Sequence, residues 1–240
     1  MVDMLFNDVD FTSLFKVEEI RRTLMPTRDI QAIKKPNALG SIFGKVDMGA
    51  SNIEVDIRAY DNTKILTRAK IREIAEKLNT SEPQRLILRD EPQIFNLAIL
   101  SGDTELERLL TSEATTLTFY CADPLGYSLD TKTVPVGETV IVRNLGSYSI
   151  PGIFNLTVDA PTSSVQVRQV ATGDKIHIQH AFVAGDIVVI DLEEESVRKN
   201  GSLIMEDVHF ISDFFHIPTQ SSTYAITGAT GTFTFREGWL

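Results

Sequence analysis

Strict alternation of apolar and polar side chains is the pattern that recurs most often along this chain. Residues 52–60 (NIEVDIRAY) show it most clearly. Ile53, Val55, Ile57 and Ala59 point one way and Glu54, Asp56 and Arg58 the other, as a strand with one buried face requires. Residues 4–11 and 15–21 read as two short strands around a turn, and 85–89, 95–100 and 115–121 as three more. The period changes once. In 66–79 the apolar positions Leu66, Ile71, Ile74, Ala75 and Leu78 recur mostly at three and four, which predicts the one helix. Thr67 can cap its start, and Asn79 with Thr80 can end it. Residues 102–112 read as an acidic connection, with room for a short helical turn.

Two stretches break the pattern. Residues 34–51 are rich in Lys, Pro, Gly and Ser, with glycines at 40, 44 and 49, and predict a long exposed loop or a loose hairpin. Loops this long in compact domains are usually functional or flexible. Asp123-Pro124-Leu125-Gly126 interrupts the chain again, and a domain boundary is expected just after it. This gives a domain at 1–127 and another at 128–240. The second half has no helical period. Its short strands are expected at 139–143, 153–159, 164–170, 175–179, 187–191, 196–199, 202–205, 213–217, 223–227 and 231–236. Asn200-Gly201 suits the two positive-φ positions of a type I′ hairpin. The fold class predicted is mainly β, with an antiparallel sandwich in the second half.

Composition narrows the function. The chain's 240 residues suit two domains of roughly 100–130 residues. The formal charge is −10, which argues against a nucleic-acid binder held by phosphate contacts and against an anionic membrane surface. Residues 1–127 carry 16 Lys and Arg against 20 Asp and Glu, and residues 128–240 carry 7 against 13. The second domain should therefore show an acidic exterior. The one cysteine, Cys121, sits in a strand pattern and reads as a small buried thiol. The first residues lack the positive start and long apolar run of a signal peptide, and no stretch approaches a membrane span.

A search for chemistry finds little. His177 and His180 are three apart, which on a strand points them to opposite faces, and His209 and His216 flank an aromatic segment. None has the spacing of a structural zinc site. Asp191, Glu193, Glu194 and Glu195 are dense enough to suggest a hard cation, but they do not match a calcium loop and read better as a solvated turn. Neither a nucleophile elbow nor a phosphate-binding loop is present. No catalytic, metal or cofactor residue is therefore assigned. Sugars stack on exposed rings, and the candidates in the second half are Trp239, Tyr148, Tyr224 and Phe154, although aromatics on strands are more often core.

Several short segments follow one another in a definite order. The strand Ile53-Glu54-Val55-Asp56-Ile57 is followed by a helix led by Arg68 and ending at Leu78. Leu86-Ile87-Leu88-Arg89 then runs into Asp90-Glu91-Pro92. Phe119-Tyr120-Cys121-Ala122 runs into Asp123-Pro124-Leu125-Gly126-Tyr127. Gly185 to Asp191 and Asn200-Gly201 come next, and Arg236-Glu237-Gly238-Trp239-Leu240 last. In this order the segments resemble the siphovirus distal tail (Dit) family of phage tail components, with Gly185 to Asp191 and Asn200-Gly201 similar to the family's sandwich hairpins and the last five residues to its ending. Lys77 stands where the family often has an aromatic, and Phe95 alone represents an aromatic pair, which bears on local packing. The resemblance implies structural roles for Arg68, Asp90, Glu91, Pro92, Asp123, Pro124, Tyr127 and Trp239. It implies a β-sandwich-like first domain with one helix, six copies of which close into a ring, and a galectin-like second domain outside it. The implied partners are further copies, the major tail or tube protein, a tail-associated tip protein and receptor-binding proteins, with DNA passing through the ring of a virion. Two readings stand side by side: a hub without a ligand, and a hub whose outer sandwich, through Tyr148 or Tyr224, also binds host-wall saccharide. A wall-degrading enzyme would need two facing carboxylates.

Overall fold

The computed structural model describes residues 2–35, 39–59, 68–102 and 114–240. The readings made for Tyr60, Leu66, Thr67 and nearly all of 102–112 lie outside these residues. The chain forms two compact units, one up to Tyr127 and the other Ser128–Trp239.

In the first unit the strands are β1 (Met4–Phe6), β2 (Val9–Asp10), β3 (Phe15–Arg22), β4 (Arg28–Lys34), β5 (Ser41–Met48) and β6 (Ser51–Ala59). They are followed by α1 (Arg68–Leu78), β7 (Gln84–Leu88), β8 (Ile94–Ser101) and β9 (Thr115–Cys121). Seven strands pair in the order β2-β1-β7-β8-β9-β6-β3, every neighbour antiparallel. β8 changes partner along its length: Asn96 to Ala98 pair with β7, and Ile99 to Ser101 with β9. The sheet thereby turns over on itself, and Phe6 of β1 meets Phe119 of β9 across the core, ring centroids 5.2 Å apart.

The expectation of one strand over 4–11 is corrected. Asn7 and Asp8 both adopt positive φ (49° and 60°), so Phe6 and Val9 pair across a two-residue turn. α1 forms because its sequence, RAKIREIAEKL, lacks Gly, Pro and β-branched residues other than two isoleucines. Ile74 and Leu78, four apart, share the buried face, while Glu73 pairs with Lys77 at 2.7 Å on the wetter side.

The chain leaves this unit through β10 (Gly126–Ser128). The second unit holds β11 (Lys132–Val136), β12 (Thr139–Asn144), β13 (Ile153–Thr157), β14 (Thr162–Gln169), β15 (Lys175–Phe182), β16 (Ile187–Asp191), β17 (Ser196–Lys199) and β18 (Ser202–Leu203). β19 (Gln220–Thr227), β20 (Thr230–Phe235) and β21 (Gly238–Trp239) follow. Six strands form one sheet, β11-β20-β13-β16-β17-β18, and four form another, β12-β19-β14-β15. Phe154, Leu156, Ile190 and Phe233 from the first meet Val142, Val167, Ile178 and Tyr224 from the second in one buried core. Asn200 and Gly201 take φ of 47° and 85°, as a type I′ turn requires, and join β17 to β18.

Two expectations are corrected here. Residues 213–217 are not a strand: Ile217 makes a single bridge to Ile150, and Phe215 enters the core from irregular chain. β11 was not foreseen. Pro135 lies inside it, and Pro is tolerated because β11 is the edge of its sheet, with one neighbour only.

Asp186 ties the entrance of β16 to the β17–β18 hairpin. Its buried carboxylate accepts hydrogen bonds from the backbone N–H of Val183 and the Asn200 amide, both at 2.9 Å, and pairs with Lys199 at 3.1 Å. The Val183 N–H and then Asn200 hold its pKa down at about 2.

Three outcomes are expected. Ile74→Ala should destabilise the protein by about 2–4 kcal/mol in denaturant unfolding, as for other buried large-to-small changes. An unchanged midpoint would refute the packing of α1. Residues 128–240 expressed alone should give a soluble product with dispersed amide resonances, since β20 pairs with β11 and β13 of the same unit. An aggregated or unfolded product would reject that boundary. Because the pKa of Asp186 is depressed on folding, its contribution is complete above the ordinary Asp value of about 4 and is lost as pH falls toward 2. Denaturant midpoints followed across that window should fall for the wild type and fall less steeply for Asp186→Asn. Parallel curves would remove Asp186 from the account.

Candidate interaction surfaces

Several of the residues carrying the family resemblance turn out to be clamps. Arg68 opens α1 and is exposed. Asp90 accepts two hydrogen bonds from the Arg22 guanidinium, from Nε and Nη2, both at 3.1 Å. Arg22 Nη1 also reaches Glu91 at 3.3 Å and the buried Asn96 side chain at 3.1 Å. Asp90-Glu91-Pro92 is therefore the β7–β8 turn, with Pro92 exposed at its tip and Arg22 locking the end of β3 to it. Arg22 and Asn96 were not singled out in the sequence, because only the fold brings residues 22, 90 and 96 together.

Asp123 closes a loop on itself. One carboxylate oxygen accepts from the Leu125 N–H at 3.1 Å and the other from the Tyr127 hydroxyl at 2.6 Å, with Pro124 fixing the turn between them. At the other end of the chain, Arg236 donates to the carbonyls of Ser128 and Leu129. Glu237, buried, accepts from Lys132 at 2.6 Å and from the Leu145 N–H at 2.9 Å. Trp239 follows, half-buried in β21.

The ring candidates for a sugar are mostly withdrawn. Tyr224 is fully buried, stacked on Phe215 at 5.5 Å, and its hydroxyl accepts from Ser222. Phe154 is buried against Phe233 at 4.3 Å. Neither can offer a face to a ligand. Tyr148 is half-buried. Cys121 is buried, and burial pushes its thiol up to about 11, too high for a reactive thiolate. Asp191 accepts from the backbone N–H groups of Glu193 and Glu194, which makes the acidic stretch a self-bonded turn. His180 bonds Asp207 at 2.8 Å and Lys199 at 3.1 Å. Among the described residues no cluster of three or more His, Cys, Asp or Glu side chains could hold a metal. No described helix is long and apolar enough to cross a membrane.

The distinctive surface is an arm. Among the described residues β4 and β5 pair only with each other, so of the two readings for 34–51 the hairpin holds: the segment is the second half of a hairpin that begins at Arg28. Ile30, Ile33, Leu39, Ile42, Phe43 and Val46 all lie exposed on it, Phe43 at 63%. A bulge gives this hairpin two different faces. Ala32 pairs with Phe43 and Ile30 with Val46, so β5 carries one more residue than β4 between these pairs. Simple alternation would put Phe43 and Val46 on opposite sides. The surplus residue restores Phe43, Val46 and Met48 to the side of Ile30 and Ala32. Gln31, Lys45 and Asp47 take the other side together with the Ile33–Ile42 pair, and there Asp47 accepts from Gln31 at 2.8 Å and pairs with Lys45 at 3.0 Å. Gly44 sits at the bulge, where a β-carbon would lie 2.9 Å from the Gln31 carbonyl oxygen. Residues 28–48 contain four Lys and Arg and two Asp, so the arm is basic on an acidic chain.

Comparison with known proteins finds phage tail components for both halves of the chain. Residues 9–121 match the phage tail protein RIFT-related domain, and residues 145–239 the C-terminal domain of the siphovirus-type tail component. The distal tail protein of Bacillus phage SPP1 is 26% identical over 243 aligned residues, covering 99% of this chain and 95% of that protein. The crystal structure of the SPP1 Dit protein, titled a paradigm of hub adsorption apparatus in phages infecting Gram-positive bacteria, aligns over 99% of both chains. Its TM-score is 0.83 and its identity 19%. A chain of the phage P2 baseplate in its activated conformation aligns with a TM-score of 0.50 at 10% identity, over 95% of this chain and 92% of that one.

Proposed function

The chain belongs to the siphovirus-type distal tail (Dit) family, and from that premise we propose that it is the ring-forming hub of a phage tail tip. Its role is structural. Six copies close into a ring between the major tail or tube protein and a tail-associated tip protein, and the genome passes through the centre. Receptor-binding proteins attach around it. Negative side chains lining the passage would keep DNA from adhering.

The observation that carries this reading is the arm. A two-stranded hairpin is marginally stable alone, and an exposed apolar stripe of this extent usually marks a protein contact. The arm is basic, while the rest of the chain is strongly acidic. Its natural receiver is therefore the acidic body of a neighbouring copy. A contact of arm on body is heterologous, and such contacts close into a ring when each copy is rotated by a fixed fraction of a turn. The saccharide reading keeps only Tyr148 of its two named contacts, so no sugar is proposed.

Mass measured in solution over a range of concentrations should rise toward six subunits, or rings should appear when the chain is imaged in tails. A closed two-fold dimer with no ring in tails would overturn the proposal. Phe43→Asp should abolish the ring while leaving the unfolding free energy of the monomer within the small range typical of surface changes, about 0.5 kcal/mol. A ring unaffected by Phe43→Asp would place the contact elsewhere.

A further inference from the structure

The sheet β12-β19-β14-β15 contains no Asp or Glu in any of its four strands, although residues 128–240 hold 13 of them. Its inner face is core. Its outer face carries three cations: Arg143 and Arg168, both exposed, and Lys175, half-exposed and directly across from Arg168. The unit has seven Lys and Arg in all. Lys132, Arg198 and Lys199 each face a carboxylate, and Arg236 bonds backbone carbonyls. Arg143, Arg168 and Lys175 have no carboxylate partner among the described residues. The three unpaired cations of an acidic unit thus share one face.

Between them lies an apolar row. Ile141, 61% exposed, pairs with Thr223, and the Val170 N–H bonds the Thr223 carbonyl at 2.9 Å with Val170 52% exposed. Arg143 is two residues along β12 from Ile141, and Arg168 two residues along from Val170. An uncovered aliphatic centre with cations on both sides is the composition of a protein interface core and rim, not of a face kept for water. Charge decides the partner's chemistry, since carboxylates would supply what the face lacks and steer the encounter.

We propose that this outer face docks a second protein of the tail tip through a segment with acidic residues flanking an apolar centre. The inference rests on the hub reading above but uses a different surface from the arm. A polyanionic sugar would satisfy the cations and leave Ile141 and Val170 uncovered, which is why a protein is favoured.

The test places p-benzoylphenylalanine at Ile141, and separately at the exposed Leu203 of β18, in chain assembled into purified tails, followed by irradiation and mass spectrometry. The expected result is a cross-link from position 141, not from 203, to a different protein at an acidic segment. Its yield should fall severalfold in the R143E/R168E/K175E background and at raised salt. Cross-links to a second copy or to saccharide, or a yield from 141 no greater than from 203, would overturn the inference while leaving the hub intact. Absence of the chain from purified tails would overturn the hub reading itself, and the inference with it.

Discussion

A β-strand shows its side chains alternately to two sides, and a single surplus residue reverses that order for everything beyond it. This parity is the constraint on which the rest of the molecule depends. Where it is kept, as in Ile53, Val55 and Ile57 of β6 or Val165 and Val167 of β14, one face is core and the other water. Where it is broken, the break serves a face. In β3 the pairing shifts between Val17 and Glu19, so Phe15, Val17 and Ile20 stay toward the same side despite uneven spacing. In the arm the surplus residue of β5 collects Phe43, Val46 and Met48 beside Ile30.

The motifs that carry the family resemblance do a different job from the faces. Asp90 and Glu91 anchor Arg22, Asp123 anchors Tyr127, and Glu237 anchors Lys132. Each is a carboxylate placed in a turn or near a chain end, satisfying donors that no ladder reaches. Such clamps hold strand ends in register and leave strand faces free to vary. On the proposed hub reading that separation is useful, because a frame held by clamps keeps its shape while the outer faces are free to change.

Much of the fold was legible in the sequence, for identifiable reasons. The helix announced itself by Ile74 and Leu78 at a spacing of four. Asn200-Gly201 named its own turn. β6 could be read because its alternation runs unbroken for seven residues. What escaped was set by pairing. β11 carries Pro135, which argues against a strand until its edge position is known. Asn7-Asp8 is a weaker turn signal than Asn-Gly, and so β1 and β2 ran together. Tyr224 looked like an available ring because alternation shows which residues share a face and not which face is covered. The arm's glycines and lysines left loop and hairpin open together, and its first strand from Arg28 went unread, while the bulge that organises it is visible only across two strands.

The bulge at Gly44 has a consequence for descent. The exposed face of the arm that holds Ile30, Phe43 and Val46 is specified by a residue count, not by any particular side chain. Exchanges among Ile, Val, Leu and Phe along it leave the stripe in place, so relatives can drift far in identity and keep the same face. Loss of one residue between Phe43 and Val46 would change almost nothing in composition and would turn half of the stripe to the wrong side. In this lineage, selection should therefore guard the length of that segment more closely than its spelling.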